Sequence, residues 1–159
     1  MKTKHATRTV LFDDKNRVAV IYVGKFGYYK IPGGGVEDGE DSRESARREV
    51  LEEAGCNSEI IAELGRMETD IPDWNMHDVS DGFIARTIGE KRAPEFDDFE
   101  KERGFSLEWH ESLESAIRMI EANNNVADPD GVILQARDLA YLKLAAEYFA
   151  NGSKSVAFK

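Results

Sequence analysis

The stretch that decides the fold runs from Gly33 to Cys56 and reads GGGVEDGEDSRESARREVLEEAGC. Its second half predicts a helix over residues 41–54, because Asp41 can cap the first turn and Glu44 completes a capping-box pattern. Gly55 is the residue type that most often ends a helix. The three glycines before it, preceded by a proline, predict a loop that leaves regular strand pairing and allows close approach of a ligand.

Three carboxylates follow one sector of the predicted helix. Glu49, Glu52 and Glu53 are spaced i, i+3 and i+4, which places them side by side on the helix surface. Each like-charged pair of this kind costs about 0.2–0.5 kcal/mol. A hard divalent cation would reverse this penalty, since Mg²⁺ prefers carboxylate oxygens. These residues alone leave two interpretations open, an oxygen-only metal site or a solvated acidic face.

The spacing of identities around these carboxylates resembles the Nudix box. The pattern is G-x5-E-x7-R-E-V-L-E-E-A-G-C over residues 34–56. Its fixed identities are Gly34, Glu40, Arg48, Glu49, Glu52, Glu53 and Gly55, and Val50 and Cys56 fill apolar positions. At about 7% usage per residue type, seven fixed identities coincide by chance in about one window in 10⁸. The resemblance implies an α/β (α+β) fold, a Nudix-like sandwich with a mixed β-sheet between α-helices.

The resemblance also implies a metal site and a reaction. Glu49, Glu52 and Glu53 would hold Mg²⁺ or Mn²⁺, joined by the carbonyl of Gly33, and Glu40 and Arg48 would brace the site. The implied reaction is water attack on a phosphorus of a nucleoside diphosphate linked to another moiety, as in nucleoside triphosphates, ADP-ribose or nucleotide sugars. Metal would neutralise charge developing on the phosphate and lower the pKa of a bound water.

The catalytic residues implied by the resemblance are Glu49, Glu53 and Arg48. Glu49 is the first choice for the general base, but an acid from a downstream loop remains an alternative. The charged stretch over residues 91–104 supplies three such candidates, Glu95, Glu100 and Glu102. Each of them could equally be a solvated loop charge.

Substrate contacts are expected from residues near the glycines and from one aromatic further on. Gly34 and Gly35 can point backbone groups at a ligand close to the helix start. Tyr29 and Trp74 could stack a nucleobase. By strand alternation, Tyr28 and Tyr29 send their rings to opposite faces, so one of the two belongs to the core. Pro72, sixteen residues beyond Cys56, matches a feature of some Nudix enzymes that cleave ADP-ribose.

Apolar runs outside this segment predict a sheet and two more helices. Strands are expected at residues 9–12, 17–23, 28–31, 60–68, 82–90 and 105–109, the first two forming a hairpin. Ser112 and Asp128 can cap the additional helices. With 159 residues, the chain has the size of one domain over 1–159, in which residues 151–159 are expected to be a loose tail.

Composition limits the partners. The formal charge of -10 and the sequence pI near 4.8 argue against a nucleic-acid polymer or an anionic membrane as a partner held by bulk charge. RNA decapping is disfavoured for the same reason. Cys56 is the single cysteine, which excludes an intramolecular disulfide and suits a reducing, cytoplasmic location. The expected partner is a small nucleotide-derived diphosphate, with a homodimer left open.

A second interpretation is a non-catalytic nucleotide-binding or regulatory module with the same fold. Such a module would be expected to lose box carboxylates or to gain a DNA-binding domain. Every acid of the box is present here, and the chain leaves no room for a helix-turn-helix. The sequence therefore favours the enzyme.

Overall fold

The computed structural model describes residues 1–153. Seven strands form its sheet: β1 (Lys2–Phe12), β2 (Val18–Val23), β3 (Tyr28–Lys30), β4 (Gly33–Gly35), β5 (Asn57–Ile71), β6 (Met76–Ile88) and β7 (Phe105–His110). Four α-helices accompany them: α1 (Ser42–Ala54), α2 (Asp98–Glu102), α3 (Leu113–Ala122) and α4 (Pro129–Tyr148). A 3-10 turn at Pro72–Trp74 joins β5 to β6, and a π-helical turn follows α4.

The sheet is mixed, with the order β3-β2-β1-β6-β5. Strand β1 pairs in parallel with β6 along its whole length, from Lys2 opposite Met76 to Phe12 opposite Arg86. The other pairings are antiparallel, including β4 on β1 and β7 on β2. Strand β1 pairs with β2 at Phe12 and with β4 at Ala6–Arg8, while β6 runs along its other edge. The sheet therefore splits between β2 and β4 along β1. The division places the glycines of β4 beside Ala6–Arg8.

Helices cover both faces of the sheet, as the sequence predicts. Val50 and Ala54 of α1 pack with Leu11 of β1 and with Cys56 on one face. Val10 and Phe12 point to the other face, where α3 and α4 contribute Leu113, Ala116, Ile120, Tyr141 and Leu142 to the larger core. The alternation of Val10, Leu11 and Phe12 between the two cores is the two-residue period of a strand buried on both sides.

The ends of α1 are those predicted from the sequence. The Asp41 side chain accepts a hydrogen bond from the Glu44 amide, and the Glu44 side chain accepts one from the Asp41 amide. Gly55 ends the helix with a φ of 68°, in the left-handed region that favours glycine. Cys56 is buried, and this burial raises the pKa of its thiol, so packing explains its position.

Two predictions about the backbone need correction. Gly33–Gly35 do not form an unpaired loop but a short strand, because the edge of β1 offers them partners at Ala6–Arg8. The hairpin of β5 and β6 is also longer than its apolar runs suggest, since β5 continues to Ile71 and β6 begins at Met76. Polar residues at its tip still pair through their backbone.

The far end of the chain is only partly covered by the description. Of the predicted tail over 151–159, Asn151–Ser153 belong to the π-helical turn and the remainder lies outside the described residues. No helix within residues 1–153 is long and apolar enough to cross a membrane.

Candidate active site

Strand β4 and helix α1 meet at the predicted metal-binding residues. The backbone N–H of Gly33 donates to Oε1 of Glu53 at 2.8 Å. A Cβ atom on Gly34 would lie 2.5 Å from Oε1 of Glu49, a distance that real Cβ atoms do not tolerate. The glycines thus allow two carboxylates of α1 to lie directly against the strand backbone.

Lys30, at the end of β3, lies among the innermost oxygens of this group. Its Nζ donates to Oε1 and Oε2 of Glu53 at 3.0 and 3.1 Å and to the carbonyl of Gly33 at 3.2 Å. Both side chains are buried. Burial raises the pKa of Glu53 and the charge of Lys30 opposes this shift. A cation therefore lies where the resemblance places part of the metal shell.

Arg48 holds the outer half of the site. Its Nε and Nη2 donate to Oε2 and Oε1 of Glu40 at 2.7 and 3.0 Å, a bidentate pair, and Nη2 also donates to the carbonyl of Gly35 at 2.9 Å. Its Nη1 donates to Glu49 at 2.9 Å and to Glu52 at 3.3 Å. The hydrogen bonds from Arg48 lower the pKa of Glu40 to about 2. The predicted bracing pair is present in the structure.

Two adjoining cavities open at this point. The outer one, of about 460 Å³, is an acidic cleft lined by Gly35, Glu37, Arg48, Glu49, Glu52, Glu95, Asp97 and Glu100. The inner one, of about 510 Å³, shares Gly35, Glu49, Asp97 and Glu100 with it and continues past Glu53 to a lining rich in cations and aromatic rings. Its cations are Lys4, Arg8, Lys30, Arg103 and Arg137.

The mouth of the inner cavity carries the aromatic residues. Trp74 lines it and is 40% exposed, as expected of a pocket wall. Arg103 lies over the rings of Phe26, Phe99 and Trp74, with its guanidinium carbon 4.5, 5.0 and 5.7 Å from their centroids. Of these groups Arg103, Phe99 and Trp74 line the inner cavity, and they form a surface suited to a planar base.

Tyr29, predicted as a substrate contact, does not line this cavity. Tyr29 packs against Tyr22, with ring centroids 4.8 Å apart, on the other side of β3. The buried Tyr28 lines the cavity instead. Strand alternation predicts that the two rings separate, but not which of them faces the ligand.

The three downstream acids occupy different places. Glu100 lines both cavities and lies against Glu53, whose pKa it helps to raise. Glu95 lines the acidic cleft, and its amide donates to the carbonyl of Glu52 at 2.6 Å. Glu102 points away, 62% exposed and paired with Lys25. Glu100 is therefore the downstream acid nearest the innermost carboxylate, and Glu102 lies outside the site.

The donor atoms suit a hard divalent cation. Glu49, Glu52, Glu53 and the carbonyl of Gly33 supply oxygen only, the ligand type that Mg²⁺ and Mn²⁺ favour. Within residues 1–153 no three acidic, histidine or cysteine side chains already converge on one metal position. Lys30 and Arg48 neutralise these oxygens instead, so a bound metal would compete with two side-chain cations.

The cations of the inner cavity are the residues that sequence reasoning missed. Alternation along β1 puts Lys4 and Arg8 on one face, but the strand predicted at residues 9–12 excludes both, because β1 begins at Lys2. Lys30 is separated from Pro32 by Ile31, and its position in the chain gives no sign that it turns toward α1. Arg103 and Arg137 come from distant segments and carry no local signal at all.

Comparison with known proteins identifies the family. A sequence model of the NUDIX domain matches residues 2–125, and the chain therefore belongs to the Nudix family. An RNA pyrophosphohydrolase from Dinoroseobacter shibae is 35% identical over 79 residues, covering 48% of this chain and 47% of that protein. The chain thus spans about half the length of the curated relatives it matches.

Solved structures agree in fold. A NUDIX hydrolase from Nitrosomonas europaea superposes with a TM-score of 0.67 at 18% identity, over 94% of this chain and 90% of that one. A MutT protein from Methanosarcina mazei Go1 superposes with a TM-score of 0.62 at 16% identity, over 92% and 95% of the two chains. These likenesses show the mixed sheet with its flanking helices.

Proposed function

We propose that the protein is a pyrophosphohydrolase that depends on Mg²⁺ or Mn²⁺ and cleaves a small nucleotide-derived diphosphate. One observation carries the proposal: the oxygens of Gly33 and Glu53 accept from Lys30, and those of Glu49 and Glu52 accept from Arg48, where the acidic cleft adjoins the 510 Å³ cavity. That arrangement combines a place for a hard cation with a place for the anion it would carry.

Each residue of the site has a distinct role in this proposal. Glu49, Glu52, Glu53 and the Gly33 carbonyl would hold the metal, which supplies charge neutralisation and a more acidic water. Arg48 is a positioning residue, because it fixes Glu40 and the Gly35 carbonyl and keeps Glu49 directed at the cleft. The positive charge of Lys30 compensates the negative charge of the buried Glu53 carboxylate.

The general base is assigned to Glu49, with Glu100 as the alternative. Both line the acidic cleft and the inner cavity, so either can reach a water between the two cavities. Glu49 lies against Gly34 and accepts from Arg48, which orients it. Glu→Gln substitution at Glu49 and at Glu100 separates the two by the pH profile rather than by kcat alone, because Glu49→Gln also removes a proposed metal ligand. The acidic limb of the kcat profile should disappear in the variant of the base and persist in the other variant.

The substrate is expected to be a single nucleotide unit. A cavity of about 510 Å³ is in the range of small-molecule sites, and Trp74 with Arg103 offers a base-stacking surface at its mouth. The formal charge of -10 gives no basic surface for a polymer. Since relatives carry the name RNA pyrophosphohydrolase, 5′-triphosphorylated RNA belongs among the substrates to be tried. The cytoplasmic location and the homodimer stay predictions.

The experiment is a substrate panel with and without Mg²⁺. Release of phosphate, pyrophosphate or nucleotide is followed for nucleoside triphosphates, ADP-ribose, nucleotide sugars, dinucleoside polyphosphates and 5′-triphosphorylated RNA. Metal-dependent turnover of the wild type, lost by orders of magnitude in a folded Glu53→Gln variant, is the expected result. Absence of turnover throughout, together with absence of metal binding, would favour the non-catalytic nucleotide-binding module.

A further inference from the structure

Arg8 is a buried cation that lines the inner cavity and carries an unused donor. Its side chain is only 8% exposed, and within residues 1–153 its Nε has no hydrogen-bond partner. The ion pair from its Nη2 to Oδ1 of Asp78 is long, at 3.8 Å. A buried donor without a partner costs folding free energy, so its retention at a cavity wall points to a ligand.

The acids near Arg8 are already engaged by Arg137. The Nε of Arg137 donates to Oδ1 of Asp138 at 2.8 Å, and its Nη1 donates to Oδ2 of Asp78 at 3.3 Å. The other oxygen of Asp138 accepts from the Ile31 amide at 2.9 Å. These bonds engage both carboxylates and, among the described residues, leave Arg8 with only the long ion pair to Asp78.

Lys4 adds a second cation on the same face of β1. It lines the same cavity, and its Cε lies 3.1 Å from the position that a Cβ on Gly35 would take. Arg8 packs in the same way on Gly33, where its Cδ lies 2.9 Å from the corresponding position. The bare glycines of β4 therefore let both cations lie across the strand, with Gly34 turned toward Glu49 between them.

We propose that Lys4 and Arg8 bind the terminal phosphate of a nucleoside triphosphate, next to the metal-binding carboxylates. This assignment rests on the proposed function for the reaction but not for the binding itself. A terminal phosphate carries more charge than a phosphate esterified on both sides, and two adjacent cations compensate that charge. A diphosphate capped by a sugar at both ends would bring neutral hydroxyls to this wall and leave the cations unneutralised.

The balance of charge in the cavity supports an anion at this position even before a metal is added. Among its lining side chains five are cationic and four are acidic. Glu49 and Glu53 already accept from Arg48 and Lys30, and Arg137 is engaged by Asp78 and Asp138. The lining cations outside these pairs are Lys4, Arg8 and Arg103, against the acids Asp97 and Glu100. Inorganic tripolyphosphate in the presence of a chelator therefore probes Lys4 and Arg8 without hydrolysis or metal.

The test is a calorimetric titration with sodium tripolyphosphate and EDTA at low salt. Lys4→Met decides it, because Lys4 is an exposed residue, and among the described ion pairs and side-chain hydrogen bonds none is made by Lys4. We expect Kd to rise about tenfold, the effect of losing one charge-assisted contact. Lys15→Met, in the distant β1–β2 turn, makes the same charge change and should leave Kd unchanged. Arg8→Met should weaken binding at least as much, provided that its thermal melting shows a folded protein.

Several results would overturn the assignment. They are no binding by the wild type, an equal Kd for Lys4→Met and wild type, or equal losses in Lys4→Met and Lys15→Met. Stronger competition by a 5′-triphosphorylated oligoribonucleotide than by a nucleoside triphosphate would overturn the choice of a free nucleotide. Binding that depends on Lys4 in a protein without turnover would support this site and refute the proposed reaction.

In the active enzyme the same variants test the substrate class. With Mg²⁺ present, Lys4→Met should lower kcat/KM for nucleoside triphosphates about tenfold more than for ADP-ribose. Equal losses for both substrates would contradict recognition of a terminal phosphate.

Discussion

The ion pair between Arg48 and Glu40 provides a quantitative test of how the site is braced. Arg48 contributes two charge-assisted hydrogen bonds to Glu40, at 2.7 and 3.0 Å. Bonds to charged groups are worth about 1.5–3 kcal/mol. The pKa of Glu40, lowered from 4.5 to about 2, sets an upper bound of about 3 kcal/mol, which solvent screening at the quarter-exposed Arg48 reduces. We expect a coupling free energy of about 1.5–2.5 kcal/mol.

A double-mutant cycle measures this coupling. Arg48→Met, Glu40→Gln and the double variant are compared with wild type by urea denaturation at pH 7. Because the folded pKa of Glu40 lies below its unfolded value, the coupling is fully present above pH 4.5 and is lost as the pH falls toward 2. Arg43→Met removes an exposed arginine paired at 3.9 Å and should cost less than about 0.5 kcal/mol.

A coupling below about 0.5 kcal/mol at pH 7 would refute the bracing role, since contacts of that size are indistinguishable from additive effects. A coupling that persisted unchanged at pH 2 would also contradict it, because Glu40 would then be acting without its charge. Either result would show that Arg48 does not brace the site through Glu40.

Three further substitutions test other parts of the structure. Gly34→Ala should lower kcat at least about tenfold with little change in thermal stability, because the new methyl group displaces the Glu49 carboxylate. Full activity of this variant would show that the position of Glu49 is dispensable. Asp13→Asn should cost about 2–4 kcal/mol at pH 7 by urea denaturation. Burial raises the pKa of Asp13, but hydrogen bonds from Lys91 and Arg17 outweigh this effect and lower the pKa. The difference in free energy of unfolding between Asp13→Asn and wild type should therefore shrink below pH 3.8. A difference that stayed constant with pH would argue against the ion pair. Trp74→Ala should raise KM about 5- to 100-fold in steady-state kinetics through lost base stacking, and an unchanged KM would exclude Trp74 from the pocket wall.

Local signals account for what the sequence predicts well. Helix α1 carries its own caps, Asp41 and Gly55, and its three carboxylates follow from helical spacing alone. Their position on one face of α1 depends on no other part of the chain. The sandwich of a mixed sheet between helices is likewise confirmed, because the order of apolar periods limits how such elements can pack.

Long-range pairing accounts for what the sequence does not predict. Strand β4 consists of glycines, which have no strand propensity, and it pairs only because the edge of β1 lies beside it. The cations of the inner cavity come from β1, β3, the end of α2 and α4, and Arg8 and Arg137 are 129 positions apart in the sequence. Tyr28 and Tyr29 show the same limit, since alternation separates their rings but does not say which one lines the inner cavity.

Metal affinity tests the central claim most directly. Isothermal titration with Mn²⁺ is compared between wild type and Glu52→Gln, because Glu52 is partly exposed and its only bond to another side chain in the described residues is the one from Arg48. Exposed Glu59 provides the matched control, Glu59→Gln. We expect one site in the wild type, about tenfold weaker binding in Glu52→Gln, and no change in Glu59→Gln. Equal affinity in all three proteins would show that the carboxylates of α1 do not hold the metal.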